Sequence, residues 1–175
     1  MSQLRVNSVT DAGGTGSTYA PGHVVQVVSV TKTDTFSTAS TGYIDITGMS
    51  ASITPKTATS RILVMVDMYV GNEPAQGGVQ FQLVRNSTPV SIGDANGSRT
   101  RASGYRDGGS VAMAPVSINF LDSPATTSAV TYKMQGKLDR TGTTNTLFVN
   151  RVFGDGDNGI RTLTASNITL VEIAQ

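Results

Sequence analysis

The sequence predicts an all-β protein: an antiparallel β-sandwich or barrel of the jelly-roll kind, preceded by an extended N-terminal arm. Three observations lead there. Apolar residues recur at period two through most of the chain, with valine and isoleucine prominent among them. Clusters of Gly, Pro, Asn and Asp separate these runs, and no segment carries a capped 3.6-residue stripe. About nine strands of four to ten residues result, and 175 residues suit one domain.

The chain divides into an arm and hinge over residues 1–22 and a single sandwich domain over 23–175. In the arm, Leu4, Val6 and Val9 stand among polar neighbours before the run Asp11-Ala12-Gly13-Gly14-Thr15-Gly16-Ser17, which is too glycine-rich to hold a fold. Three apolar residues in a detached segment have no core of their own, so the expected use is docking against another chain's sheet edge. A frayed terminus is the alternative.

Residues 24–30 are dense in valine, which suits a pleated sheet. Two short segments follow, 43–46 and 51–54, the second closed by Pro55. Residues 61–70 give the clearest strand. Ile62, Val64, Val66, Met68 and Val70 share one face, and Leu63 and Met65 make the other partly apolar, which predicts a central strand. Val79, Phe81 and Leu83 alternate with glutamines, and Asn86-Ser87-Thr88-Pro89 supplies turn chemistry. Residues 93–109 hold little that could be buried and read as a long surface loop. Val116, Ile118 and Phe120 form the next strand, then a turn at Asp122-Ser123-Pro124, then Val130, Tyr132, Met134 and Leu138. A turn at 141–145 leads to the last strands, 146–153 and 167–173, separated by a glycine-rich turn at 154–159.

Composition narrows function by exclusion. Asp, Glu, Lys and Arg are 14% of residues, against about 25% in a typical soluble domain. The net charge is +1, so composition gives no broad field for a polyanion, and nucleic acid is not an expected partner. No apolar run approaches the roughly 20 residues of a membrane helix, and Met1 to Val9 does not read as a secretory leader. A soluble protein without membrane insertion is expected. With no cysteine, one histidine and two glutamates, the inventory for catalysis is thin, and no catalytic residue is assigned. His23, after Pro21-Gly22, reads as a solvated strand start.

Two groups of residues invite a binding role. Arg99, Arg101 and Arg106 cluster near Tyr105, and guanidinium forks beside an aromatic face suit sugars or acidic groups. Sealing a contact between subunits is an equally physical use of that loop. Asp155, Asp157 and Asn158 are spaced like the start of a calcium loop, but the distal glutamate is missing and Asp-Asn-Gly is also a common hairpin turn. Calcium is therefore the one candidate ligand ion, and no other cofactor is expected.

Several segments resemble a family of small virion proteins of tailed bacteriophages, of the marine-phage type, which are tail-fibre-like or capsid-associated. Residues 2–16 (SQLRVNSVTDAGGTG) are similar to the opening of many phage fibre proteins. Residues 27–36, 60–65, 82–87 (QLVRNS) and 116–127 (VSINFLDSPATT), with Tyr132 and residues 167–174, carry the rest. The resemblance implies a trimeric jelly roll of the tumour-necrosis-factor and complement type, with first and last strands adjacent. It implies a homotrimer on the virion, as a capsid decoration, head appendage or short tail-fibre-like component. The arm with Leu4, Val6 and Val9 would be its anchor on the major capsid protein or tail proteins. Synthesis in the host cytoplasm and assembly onto the particle follow. A receptor-binding module that contacts host glycan through the Arg99 to Arg106 loop and the Asp155 to Asn158 turn is the alternative. The chain lacks the long repetitive shaft of a true fibre. Its scarcity of charge, with four lysines against nine arginines, fits surfaces that meet other chains.

Overall fold

A computed structural model describes residues 19–73, 77–107, 113–140, 145–154 and 156–175. Among them are eleven strands and no helix. They are β1 (Val24–Lys32), β2 (Phe36–Thr38), β3 (Ile44–Ile53), β4 (Arg61–Asn72), β5 (Val79–Arg85), β6 (Thr88–Val90), β7 (Gly104–Arg106), β8 (Ala114–Asp122), β9 (Val130–Leu138), β10 (Leu147–Val149) and β11 (Ser166–Ile173).

Every pairing is antiparallel, and the strands form two sheets. In the first, β4 has β8 on one edge. On its other edge β11 and β10 lie end to end, opposite Arg61 to Asp67 and Val70 to Asn72. β1 and β2 continue outward in the same way, on β11 and β10. In the second sheet the order is β3, β9, β5, with β6 and β7 sharing the far edge of β5. Each sheet is thus four strands wide, ordered β1–β11–β4–β8 and β3–β9–β5–β6/β7. That is the jelly roll, two interlocked Greek keys with the first and last strands side by side.

Alternation along each strand decides what lies between the sheets. β4 buries Ile62, Val64, Val66, Met68 and Val70, as its sequence predicts, and is central in its sheet. Opposite them lie Phe81 and Leu83 of β5, Tyr132 and Met134 of β9, and Met49 and Ile53 of β3, all in one apolar cluster.

Three sequence expectations need correction. Residues 43–46 and 51–54 are not two strands but one, β3, whose register with β9 shifts between Asp45 and Ser50. Gly48, at φ +84°, makes the bulge that turns both Ile46 and Met49 inward, a backbone conformation that strains any other residue. The segment 146–153 is a strand only over β10, because Asn150 turns the chain at φ +64°, and beyond it an isolated bridge joins Arg151 to Leu163. The Asn150 side-chain amide donates to the carbonyls of Lys32 (2.9 Å) and Asp34 (3.0 Å), filling the gap between β1 and β2, while its oxygen accepts from Ser166 Oγ (2.6 Å). The long loop at 93–109 also contains a strand, β7.

Buried polar groups fasten the ends of the sandwich. Arg85 Nη1 donates to both oxygens of Asp122 at 2.9 Å, and Tyr132 OH donates to Asp122 Oδ2 at 2.6 Å, so β8 in one sheet is tied to β5 and β9 in the other. Burial pushes the Tyr132 hydroxyl far above its ordinary value, and the bond to Asp122 adds to this. Glu172 is fully buried and accepts from Gln26 Nε2 (2.5 Å) and the Lys56 amide (2.7 Å). Burial alone would raise its pKa. The hydrogen bonds from Gln26, Ser60 and the backbone at Lys56 and Thr57 prevail and hold it below the ordinary 4.5.

Two predictions follow from this packing. A methyl group on Gly136, which faces the core from β9, would lie 2.7 Å from Leu147 Cδ2 and 3.3 Å from Ile46 Cδ1. Gly136→Ala should therefore destabilise by about 1–3 kcal/mol in urea unfolding, although alanine is otherwise the better strand residue. A carboxylate with a depressed native pKa stabilises fully above its unfolded value, and that contribution is lost as pH falls through the native value. Glu172→Gln should cost about 1.5–3 kcal/mol at pH 7. It should also flatten the loss of stability that the unaltered protein shows below pH 4.5, as read from melting temperature against pH.

Candidate functional site

The β6–β7 connection folds into an open cleft of about 470 Å³, lined among others by Asp94, Asn96, Arg99, Arg101, Ser103 and Tyr105. Its base is rigid. Ser103 Oγ accepts from the Leu83 amide (2.9 Å) and donates to the Val90 carbonyl (3.1 Å), and the Ser103 amide donates to Phe81 O (2.8 Å). Arg101 is part of this framework, because its Nε donates to the Gly93 carbonyl at 2.5 Å. Arg99 is different. It is exposed, and its guanidinium has no partner among the described residues, so it is the cation the cleft offers to a ligand.

Tyr105 closes one side of the cleft with its ring against Gly78, where any side chain would collide with it. It is 54% exposed, and its hydroxyl lies 3.3 Å from both Asp107 Oδ1 and Asp139 Oδ2. Burial and then the charges of these two carboxylates raise its pKa, so it presents a neutral phenol. Arg106 leaves the group that sequence proximity suggested. It follows Tyr105 on a strand, so it points to the opposite face, where Nη1 donates to Asn72 Oδ1 at 2.6 Å and burial lowers its pKa. The structure thus brings Arg99, Arg101 and Tyr105 together, and Arg106 has a place inside the sandwich end.

The second candidate, the glycine-rich turn after β10, borders a smaller cleft of about 300 Å³ with Asp157, Asn158, Arg161 and Leu163. Asn158 Oδ1 accepts from the Ile160 amide (3.2 Å), and Arg161 Nη1 donates to the Phe153 carbonyl (3.1 Å). Asp155 lies outside the described residues. The described part of the turn therefore offers a calcium ion the Asp157 carboxylate and a committed amide, with a guanidinium nearby. Among the described residues no three His, Asp or Glu side chains converge.

Leu4, Val6 and Val9 also lie outside the described residues. What is described is where the arm joins the domain. The Gly22 amide donates to Ala174 O (2.8 Å), the Ala174 amide donates to His23 O (2.9 Å), and the His23 ring stacks on Tyr19 at 6.2 Å. His23 is exposed and borders neither cleft.

No protein-family model matches the chain, and no curated protein matches it. Among solved structures it is similar to infectious bursal disease virus Gt strain, at 13% identity and TM-score 0.44 over 100% of this chain and 43% of that one. It is also similar to the VP2 subviral particle of the same virus, at 11% identity and TM-score 0.42 over 97% and 42%. A third is the T13 particle of that virus, at 15% identity and TM-score 0.39 over 97% and 40%. The chain spans less than half the length of the chains it matches.

The geometry separates the two arginines by experiment. Arg99→Ala should leave the unfolding midpoint unchanged within about 0.5 kcal/mol, because an exposed unpaired side chain contributes little. Arg106→Ala removes a charged donor from buried Asn72 and should cost about 1.5–3 kcal/mol in the same titration.

Proposed function

We propose that the chain is a structural protein of a tailed-bacteriophage virion. It is displayed as a homotrimer on the particle surface, as a capsid decoration, head appendage or short tail-fibre-like component, and is attached through its N-terminal arm. The observation that carries this reading is the point where the arm meets the fold. Among the described residues β1 pairs on one side only, with β11, and the backbone of Gly22 and His23 is bonded to Ala174 beyond the end of that pairing. Gly22 and His23 are therefore held at a sheet edge, a fixed point suited to an attachment that holds the domain outward.

The other supports are chemical. A jelly roll is a closed double sheet suited to close packing among copies. The proposed role is non-catalytic: in the larger cleft the Ser103 hydroxyl is committed to the Leu83 amide and the Val90 carbonyl. In this role the arm's Leu4, Val6 and Val9 supply the apolar contacts to the capsid or tail partner, and the protein resides on the assembled particle.

A second reading, contact with host glycan, has one observation in its favour. Arg99 and Tyr105 flank an open cleft with an unpaired cation and an exposed ring, which suits an acidic sugar.

Deleting residues 1–17 tests the first reading. The truncated chain should keep its circular dichroism and melting temperature and disappear from purified particles. Retention on particles at full amount contradicts the anchoring role. Binding of the isolated domain to a glycan array, abolished by Arg99→Ala, is the result the second reading requires.

A further inference from the structure

The outward faces of the two sheets are not alike. On the second sheet, Asp45 accepts from Lys133 Nζ (2.8 Å) and Gln135 Nε2 (2.7 Å), which together lower its pKa. Ser52 bonds Thr131 (2.7 Å), and Lys137 lies 5.2 Å from the centre of the Tyr43 ring. That face is charged, internally paired and suited to water.

The first sheet also pairs outward polar groups, Ser29 with Thr169 (2.8 Å) and Ser117 with Asp67 (2.6 Å), but beside them it carries an apolar row. Strand register aligns Val27 with Val171, Val171 with Leu63 and Leu63 with Leu121, so one apolar row crosses all four strands from edge to edge. Val27 is 58% and Leu121 44% exposed, and Val24, 52% exposed, extends the row beside Ile173. The next rows hold Ser29, Thr169, Met65 and Asn119, then Thr31, Asn167, Asp67 and Ser117. Outward-facing charge on the four long strands is confined to Arg61 and Asp67.

We infer that this face is the surface on which copies of the chain meet, which deepens the proposed role in assembly and rests on it. Two features point to a second copy as the occupant. Arg61 and Asp67 stand about 20 Å apart along β4, so the face carries both signs of charge, and a neighbouring copy can set its Asp67 near Arg61 without a like-charge clash. The area also fits. Four strands about 4.8 Å apart and nine residues long cover roughly 600 Å² in plan before side-chain relief is added, near the roughly 800 Å² per partner of a stable interface.

The test is the mass of the full chain by multi-angle light scattering, with Val27→Glu plus Leu121→Glu set against Ser50→Glu plus Ser52→Glu on the charged face. The unaltered protein and the serine variant should form the same oligomer. The Val27/Leu121 variant should lose at least about tenfold in association and tend to 18.2 kDa, with unchanged circular dichroism. If that variant fails to fold, Val27→Thr plus Leu121→Thr should weaken association in the same direction. An oligomer that survives both pairs of changes at Val27 and Leu121 overturns the inference. So does an oligomer that dissolves only when residues 1–18 are removed, since the arm would then be the contact. Either result leaves open whether the protein belongs to a virion, which cofractionation with particles decides separately.

Discussion

The burial of two inward sheet faces against one another is the constraint on which everything else depends. Among the described residues the sheets exchange no ladder hydrogen bonds, so apolar contact such as that of Met68, Phe81 and Met134 must hold them together, aided by polar ties at their ends. Each strand must therefore give alternate residues to the core. The other half of each strand is released from packing and is free to differ between the sheets. One outward face is laced with Asp45 and Lys133, and the other is left with Val27, Val171, Leu63 and Leu121.

Apolar contact is non-directional and does not fix register. The buried polar groups do. Asp122 joins β8 to Arg85 and Tyr132 across the sandwich, and Asn150 occupies the break between β1 and β2. Glu172 ties β11 to the segment at Lys56. A shift of one residue would turn each of these into an uncompensated buried group. In the proposed role the same rigidity fixes the start of the domain at Gly22 and His23 and holds the cleft loop through Ser103.

Much of the fold was legible because alternation is local. β4 could be read as central from Leu63 and Met65 on its outer side, and the turn at Asn86-Ser87 from its composition. What escaped depends on distant partners. β2, β6 and β7 are three residues each, too short for a period to register. The Gly48 bulge looks like a break in sequence and is a continuous strand only against β9. Arg106 clusters with Arg99 and Arg101 along the chain, but pleating sends it to Asn72. The apolar row was half visible, in the valines of β1 and in Leu63, yet its continuity needs the register of four strands that are far apart in sequence.

In this account the chain is an assembling unit: the charged face looks to solvent, the apolar face to other copies, and the arm to the particle. Hydroxyl-radical footprinting across a concentration series reads those faces directly. The account predicts that Leu63, Met65 and Leu121 lose reactivity as concentration rises, while Tyr43 and Tyr105 keep theirs. Uniform reactivity at all concentrations, or protection confined to the face bearing Tyr43 and Tyr105, would contradict it.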